Sequence, residues 1–137
     1  MAESTRDLWP PDLGVSSLVP PLAILREQAA LLSQKTKGFL EGEVVTRAER
    51  GPRNKAEPFL HEFRIRAPAL GDYRYELFDV RHDFELYPVV VRVYPADIEL
   101  EADCEDKFLE LLKQIFSYDS TRRVIGALLA NSGFQEK

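Results

Sequence analysis

Cysteine occurs once in the 137 residues, at Cys104, so no disulfide can close within the chain and a reducing compartment fits better than an oxidising one. Long apolar runs are missing too. The longest span about five residues, against the roughly 20 that a membrane-spanning helix needs. The N-terminus, from Met1 to Asp7, mixes charges of both signs and leads into Trp9-Pro10-Pro11, without the basic start and apolar stretch of a secretory signal. A cytoplasmic protein with no membrane contact is the expectation. Glycine is sparse, at seven, and forms no Walker loop, no Gly-x-Gly-x-x-Gly turn and no Gly-x-Ser-x-Gly elbow. Phosphate cradling by a glycine-rich loop and serine hydrolysis on such an elbow therefore lack their motifs.

Metal ligands are equally thin. The nitrogen and sulfur donors are His61, His82 and Cys104, and no two of them have the close spacing of a zinc site. An oxygen-only site would have to use Asp97, Glu99, Glu101 and Asp103, which lack the glycine-bearing loop of an EF-hand. No metal and no cofactor is expected. His61 falls on the apolar side of its strand pattern, which suits a satisfied core histidine, whereas His82, in Arg81-His82-Asp83, reads as a solvent-facing turn residue. With 18 basic and 23 acidic side chains the formal charge is −5, so nucleic acid is disfavoured as a partner.

What is present is enough for one ordinary domain: 45% hydrophobic residues and 30% charged ones over a length that buries a core without staples. Residues 1–20 read as a proline-rich arm, with Pro10, Pro11, Pro20 and Pro21 excluding helix around them, and residues 21–137 as a single α+β domain. A helix should start at Pro21 and stop before Gly38, with Leu22, Leu25, Ala29, Leu32 and Thr36 on one face. The period then switches to two. Four strands follow, over 40–48, 59–66, 73–82 and 89–94, broken by the turn-forming stretch Gly51 to Pro58. In the third, the apolar set changes phase from Tyr75 and Leu77 to Phe78 and Val80, which predicts a bulge.

Connections this short make an antiparallel meander with one apolar face, while Glu41, Glu43, Arg47, Glu62, Arg64, Arg66, Arg74, Glu76 and Arg92 line the other as cross-strand ion pairs. Two helices close the chain. Asp103 is placed to cap the first, whose stripe is Cys104, Phe108, Leu111, Leu112 and Ile115; the last buries Val124, Ile125, Leu128 and Leu129, with Gly126 as a point of close approach. The expected fold is a two-layer α+β domain in which an N-terminal helix, a four-stranded antiparallel meander and two C-terminal helices cover one sheet face.

Three features could carry function. The arm puts Trp9 and Leu13 beside paired prolines, which reads either as a strap on the body or as a partner-binding segment. Between Asp97 and Glu110 there are seven acidic residues against one basic, and Asp97, Glu99, Glu101 and Asp103 make an acidic edge fit for a basic protein surface. Cys104 is the one candidate nucleophile. Its acidic neighbours oppose a thiolate, and its spacing to Phe108 puts it on a buried stripe.

The element order resembles that of RWD domains and ubiquitin-conjugating enzymes, which also place a Tyr-Pro pair near the later strands, as Tyr87-Pro88 stands here before Val89 to Tyr94. The likeness would cover residues 22–132, but the family's downstream prolines and the His-Pro-Asn before its cysteine are absent. It implies a non-catalytic, RWD-type interaction role, with a thiol enzyme using Cys104 as the alternative. The leading expectation is a non-enzymatic protein-interaction domain, either an adaptor or an immunity-like acidic inhibitor of a basic partner, and homo-oligomerisation is compatible with it. A small-ligand carrier, with a cavity lined by Tyr73, Tyr75, Phe63 and Phe116, is the third class.

Overall fold

In the computed structural model the first helix begins at Pro21 and the first strand at Glu41, where helical periodicity gives way to a period of two. The structure describes residues 6–14, 19–48 and 59–134, so the expected loop from Gly51 to Pro58 and residues 15–18 of the arm lie outside the described residues. Helix α1 (Pro21–Lys35) opens on a proline at its first position, where the missing N–H costs nothing. Strands β1 (Glu41–Ala48), β2 (Phe59–Ala67), β3 (Tyr73–His82), β4 (Val89–Val93) and β5 (Ile98–Ala102) follow, then α2 (Glu105–Ser117) and α3 (Asp119–Asn131).

The sheet is an antiparallel meander in the order β1-β2-β3-β4-β5. Four strands were expected and five are found. The additional β5 pairs with β4, Val91 facing Leu100 and Arg92 facing Glu99. Its inward residues, Leu100 and Ala102, continue the core face, and its alternating acids are the outward half of the same strand. The bulge falls where the phase change put it: the β2–β3 register shifts between Phe63 and Arg64, which pair with Phe78 and Glu76 and leave Leu77 as the extra residue. Leu77 and Phe78 are thus both buried although they are consecutive. Phe63 stacks on Phe78 with ring centroids 5.0 Å apart, and Phe116 of α2 leans over both at 5.8 and 6.0 Å.

The helices lie on this apolar face. Phe108, Leu112 and Ile115 of α2 are buried, as are Ile24, Leu25 and Ala29 of α1. From α3 only Thr121 and Leu128 are fully buried; Val124, Ile125 and Leu129 are half-covered. One cap differs from expectation. Cys104, not Asp103, is the residue that precedes α2, and no side chain caps that helix; Glu105 and Asp106 in its first turn favour the dipole instead. Asp103 pairs with Lys107 at 3.4 Å.

The close-approach glycine is also a different one. A Cβ on Gly126 would meet nothing within 4 Å. A Cβ on Gly42, in β1, would lie 2.5 Å from the Cα, 2.6 Å from the Cβ and 2.8 Å from the carbonyl oxygen of Ala29. Helix α1 therefore rests directly on the backbone of β1. Ser33 and Thr36 complete the seam: the Gly42 N–H reaches the Ser33 hydroxyl at 3.4 Å, and the Leu40 N–H donates to the buried Thr36 Oγ1 at 3.2 Å. Two predictions follow from the glycines. Gly42→Ala should lower the urea midpoint at unchanged m, a loss of about 1–3 kcal/mol, because the obstacle is backbone and cannot step aside. Gly126→Ala should raise it by ~0.5–1 kcal/mol, since an exposed mid-helix position gains propensity and meets no obstacle.

Candidate functional site

The charged sheet face is consumed internally. Arg66 of β2 holds Glu41, Glu43 (3.2 Å) and Asp72 (2.5 Å), and Glu43 also takes Arg74 at 2.9 Å. Glu62 holds Arg64 at 2.5 Å and Arg47 at 3.5 Å. Glu41 and Glu43 therefore act as cross-strand counter-ions. The acidic edge is largely spoken for as well. Arg92 reaches Glu99 at 2.5 Å and Asp97 at 3.3 Å, and Asp103 has Lys107. Of the four predicted partner-binding acids, all exposed, Glu101 alone has no ion pair among the described residues. Glu76, half-buried and facing Glu62 and Asp79, is the strained member of this face: burial first, then those two carboxylates, hold its own carboxyl above the usual range.

Cys104 is exposed, not part of the buried stripe. Its position just before α2 takes it off the helical period that placed it beside Phe108. It lines a broad depression of about 690 Å³ with Phe84, Glu85, Leu86, Tyr87, Asp103 and Glu105. That lining holds no imidazole and no cation; its ionisable neighbours of the thiol are the carboxylates Glu85, Asp103 and Glu105 and the Tyr87 phenol. Tyr87 is pushed up to about 12 by burial, then by Glu105 and Cys104, so its phenol stays protonated and is no base. The Tyr87 hydroxyl donates to the Val19 carbonyl at 3.3 Å, which sets the root of the arm beside this loop.

The two histidines are engaged elsewhere. His82 is buried (5% exposed), not a solvent-facing turn residue, and its partner is His61 (3%). Antiparallel register places His61 opposite Val80 and His82 opposite Phe59, so the two rings are diagonal neighbours on the helix-covered face. Their Nε2 atoms lie 2.8 Å apart; His61 Nδ1 is 2.9 Å from the Thr46 hydroxyl, and His82 Nδ1 is 2.5 Å from the Asp83 carbonyl. A carbonyl only accepts, which assigns the tautomers by hydrogen-bond logic. His82 donates from Nδ1, His61 donates from Nε2 to His82 Nε2, and Thr46 donates to His61 Nδ1. Every ring nitrogen is thereby used, and neither imidazole is free to serve Cys104 as a base. His82 escaped sequence reasoning because its partner is 21 residues away and only the β2–β3 register brings them together.

The arm and the cavity are what remain. Leu8 is 90% exposed, Trp9 71% and Leu13 61%. They sit on a turn closed locally, by the Trp9 N–H to Asp7 Oδ1 at 3.2 Å and the Leu13 N–H to the Pro10 carbonyl at 3.2 Å. Between the helices, a cavity of about 200 Å³ opens over the sheet. Its floor is Phe63, Ile65 and the bulged Leu77; Phe116 and Ile125 form one wall and α1 the other. Phe63 and Phe116 were expected there, whereas Tyr73 and Tyr75 are not in the lining.

Among the described residues no group of three His, Cys, Asp or Glu side chains is placed to hold a metal ion, and no helix is long and apolar enough to cross a membrane. The chain matches no protein-family model, no curated protein and no solved structure. The likeness to RWD domains and ubiquitin-conjugating enzymes thus rests on element order and the Tyr87-Pro88 pair, and the fifth strand, β5, departs from the four-strand order on which it was drawn.

The histidine relay has a pH signature. Burial first, then His82 and Arg26, pull His61 from 6.5 down to about 4. Above pH 6.5 the folded and unfolded states are both neutral there, and its stabilising effect is complete. As pH falls from about 6.5 towards about 4, the unfolded chain binds a proton that the folded one refuses, so stability drops. His61→Gln, which cannot titrate, should flatten the decline in urea midpoint between pH 7 and pH 5. A decline as steep as the parent's would show that other groups cause it.

Proposed function

We propose that this chain is a non-enzymatic protein-binding module, an adaptor that holds its partner through the apolar side chains of its N-terminal arm. The observation that carries this reading is the exposure of Leu8, Trp9 and Leu13 together on a self-closed turn, while the core of the body is continuous without them. Burying one indole removes about 150–250 Å² from water, an anchor worth several kcal/mol, at roughly 25 cal/mol per Å². The Val19–Tyr87 contact sets the arm's root beside the loop that carries exposed Phe84, so a partner engaging the arm meets a second aromatic side chain nearby. An adaptor is favoured over an acidic inhibitor because three of the four acids of the edge are already engaged by Arg92 and Lys107. A cytoplasmic setting suits the single unpaired, exposed Cys104.

Trp9 is the only tryptophan, so its fluorescence reports on the arm alone. The free protein should show the emission of a hydrated indole open to iodide quenching; blue-shifted, protected emission would mean that the arm packs on its own body and would end this reading. Affinity capture from the native host should recover a partner that Trp9→Ala weakens by about thirty-fold, the ~2 kcal/mol left of the anchor's burial after the costs of ordering and desolvation. The same variant should melt within ~0.5 kcal/mol of the parent.

A further inference from the structure

The cavity between α1 and α3 is independent of the arm, and its chemistry is one-sided. Floor and far wall are hydrocarbon: Phe63, Ile65 and Leu77 below, Phe116 and Ile125 opposite α1. Polar character comes only from α1, where Gln28 is half-buried and Lys35 stands exposed at the rim. Lys35 has no carboxylate partner among the described residues, and no acidic side chain lines the cavity. That absence matters on a chain with 23 acidic residues, where the arginines of the outer sheet face are neutralised at contact distance. A ligand with an apolar body and a single negative end fits this arrangement; a cationic head would meet Lys35 with nothing to offset it.

Size narrows the class. A cavity of about 200 Å³ is somewhat larger than the roughly 150 Å³ apolar cavity that accepts six-carbon benzene, which suits a tail a little longer than that. The bulge at Leu77 is what makes the floor apolar where a regular strand would turn its side chain to the charged face. The geometry points to a binding site for a small monocarboxylate with an apolar tail of about seven or eight carbons, its tail on Leu77 and Phe63 and its carboxylate at Lys35 and Gln28.

Amide chemical-shift titrations with octanoate and with octylammonium test this on the full chain. Octanoate should saturate in the sub-millimolar range, with shifts confined to α1, the Leu77 bulge and α3, and octylammonium should bind at least tenfold more weakly. Lys35→Glu, at an exposed position that leaves the fold intact, should weaken octanoate at least tenfold. Ile125→Trp should fill the cavity and abolish saturation while the remaining spectrum stays folded. Equal binding of the two amphiphiles, indifference to Lys35→Glu, or shifts scattered over the surface would overturn the assignment. So would a concentration-dependent dimer that shifts the same residues without any ligand, which would give the groove to a second copy of the chain.

Discussion

The contact between Ala29 and the backbone of Gly42 sets the geometry of the helical layer. Helices usually stand off a sheet by the thickness of their side chains; here one turn of α1 comes close enough that a single added carbon on Gly42 would sit 2.5 Å from a helix Cα. The remaining length of α1 is fixed by what flanks that point. Ser33 ties to the Gly42 N–H, and Thr36, buried at the helix end, accepts from the Leu40 N–H and lies within reach of the Leu32 and Leu40 carbonyls. With α1 pinned over β1, its far side cannot also close against α2 and α3. The space left over β2 and β3 is the cavity, and its α1 wall is the row Gln28, Leu31, Leu32 and Lys35.

The bulge in β3 has a matching effect on the floor. One extra residue puts Leu77 and Phe78 both into the core, the first under the cavity and the second under the stacked Phe63 and the leaning Phe116. Beyond it the register places His82 diagonal to His61, so the phase change that shapes the apolar floor also aligns the histidine relay at the other end of the strand. That relay is a polar object on an otherwise apolar face. It is tolerable there because one directional chain of donors, from Thr46 through both rings to the Asp83 carbonyl, leaves no ring nitrogen unpaired.

Much of this layout was legible in one dimension. The proline at position 21, the stripe through Leu25 and Ala29, the switch to period two, the bulge at Leu77 and Phe78, and the two mixed-sign rows of the outer face all follow from local spacing. What escaped was non-local or mixed in character. β5 reads poorly because its outward residues are all acidic and only Leu100 and Ala102 face the core securely, so the alternation looked like a charge pattern before it looked like a strand. Cys104 matched a helical stripe by spacing, yet helices begin at a cap, and one residue decides between buried and exposed. Gly42 and Gly126 are indistinguishable as letters; only the crossing of α1 tells them apart. His82 needed the register of a second strand.

Function follows most economically from what is already spent. Each arginine on the outer sheet face stands within 4 Å of a carboxylate, so that face has little charge left to offer a ligand. The histidines are committed to each other, and the thiol sits among carboxylates with no imidazole or cation in the lining. Thiol catalysis of the cysteine–histidine kind needs an imidazole beside the sulfur, and among the described residues His61 and His82 are paired with each other and do not line the depression that holds Cys104. The uncommitted apolar surface is the arm's Leu8, Trp9 and Leu13 on one side and the cavity floored by Leu77 on the other, with Lys35 the charge that stands beside the cavity. On the reading proposed above, partners are recognised chiefly by burying hydrocarbon, while the charges of the outer sheet face hold the sheet together.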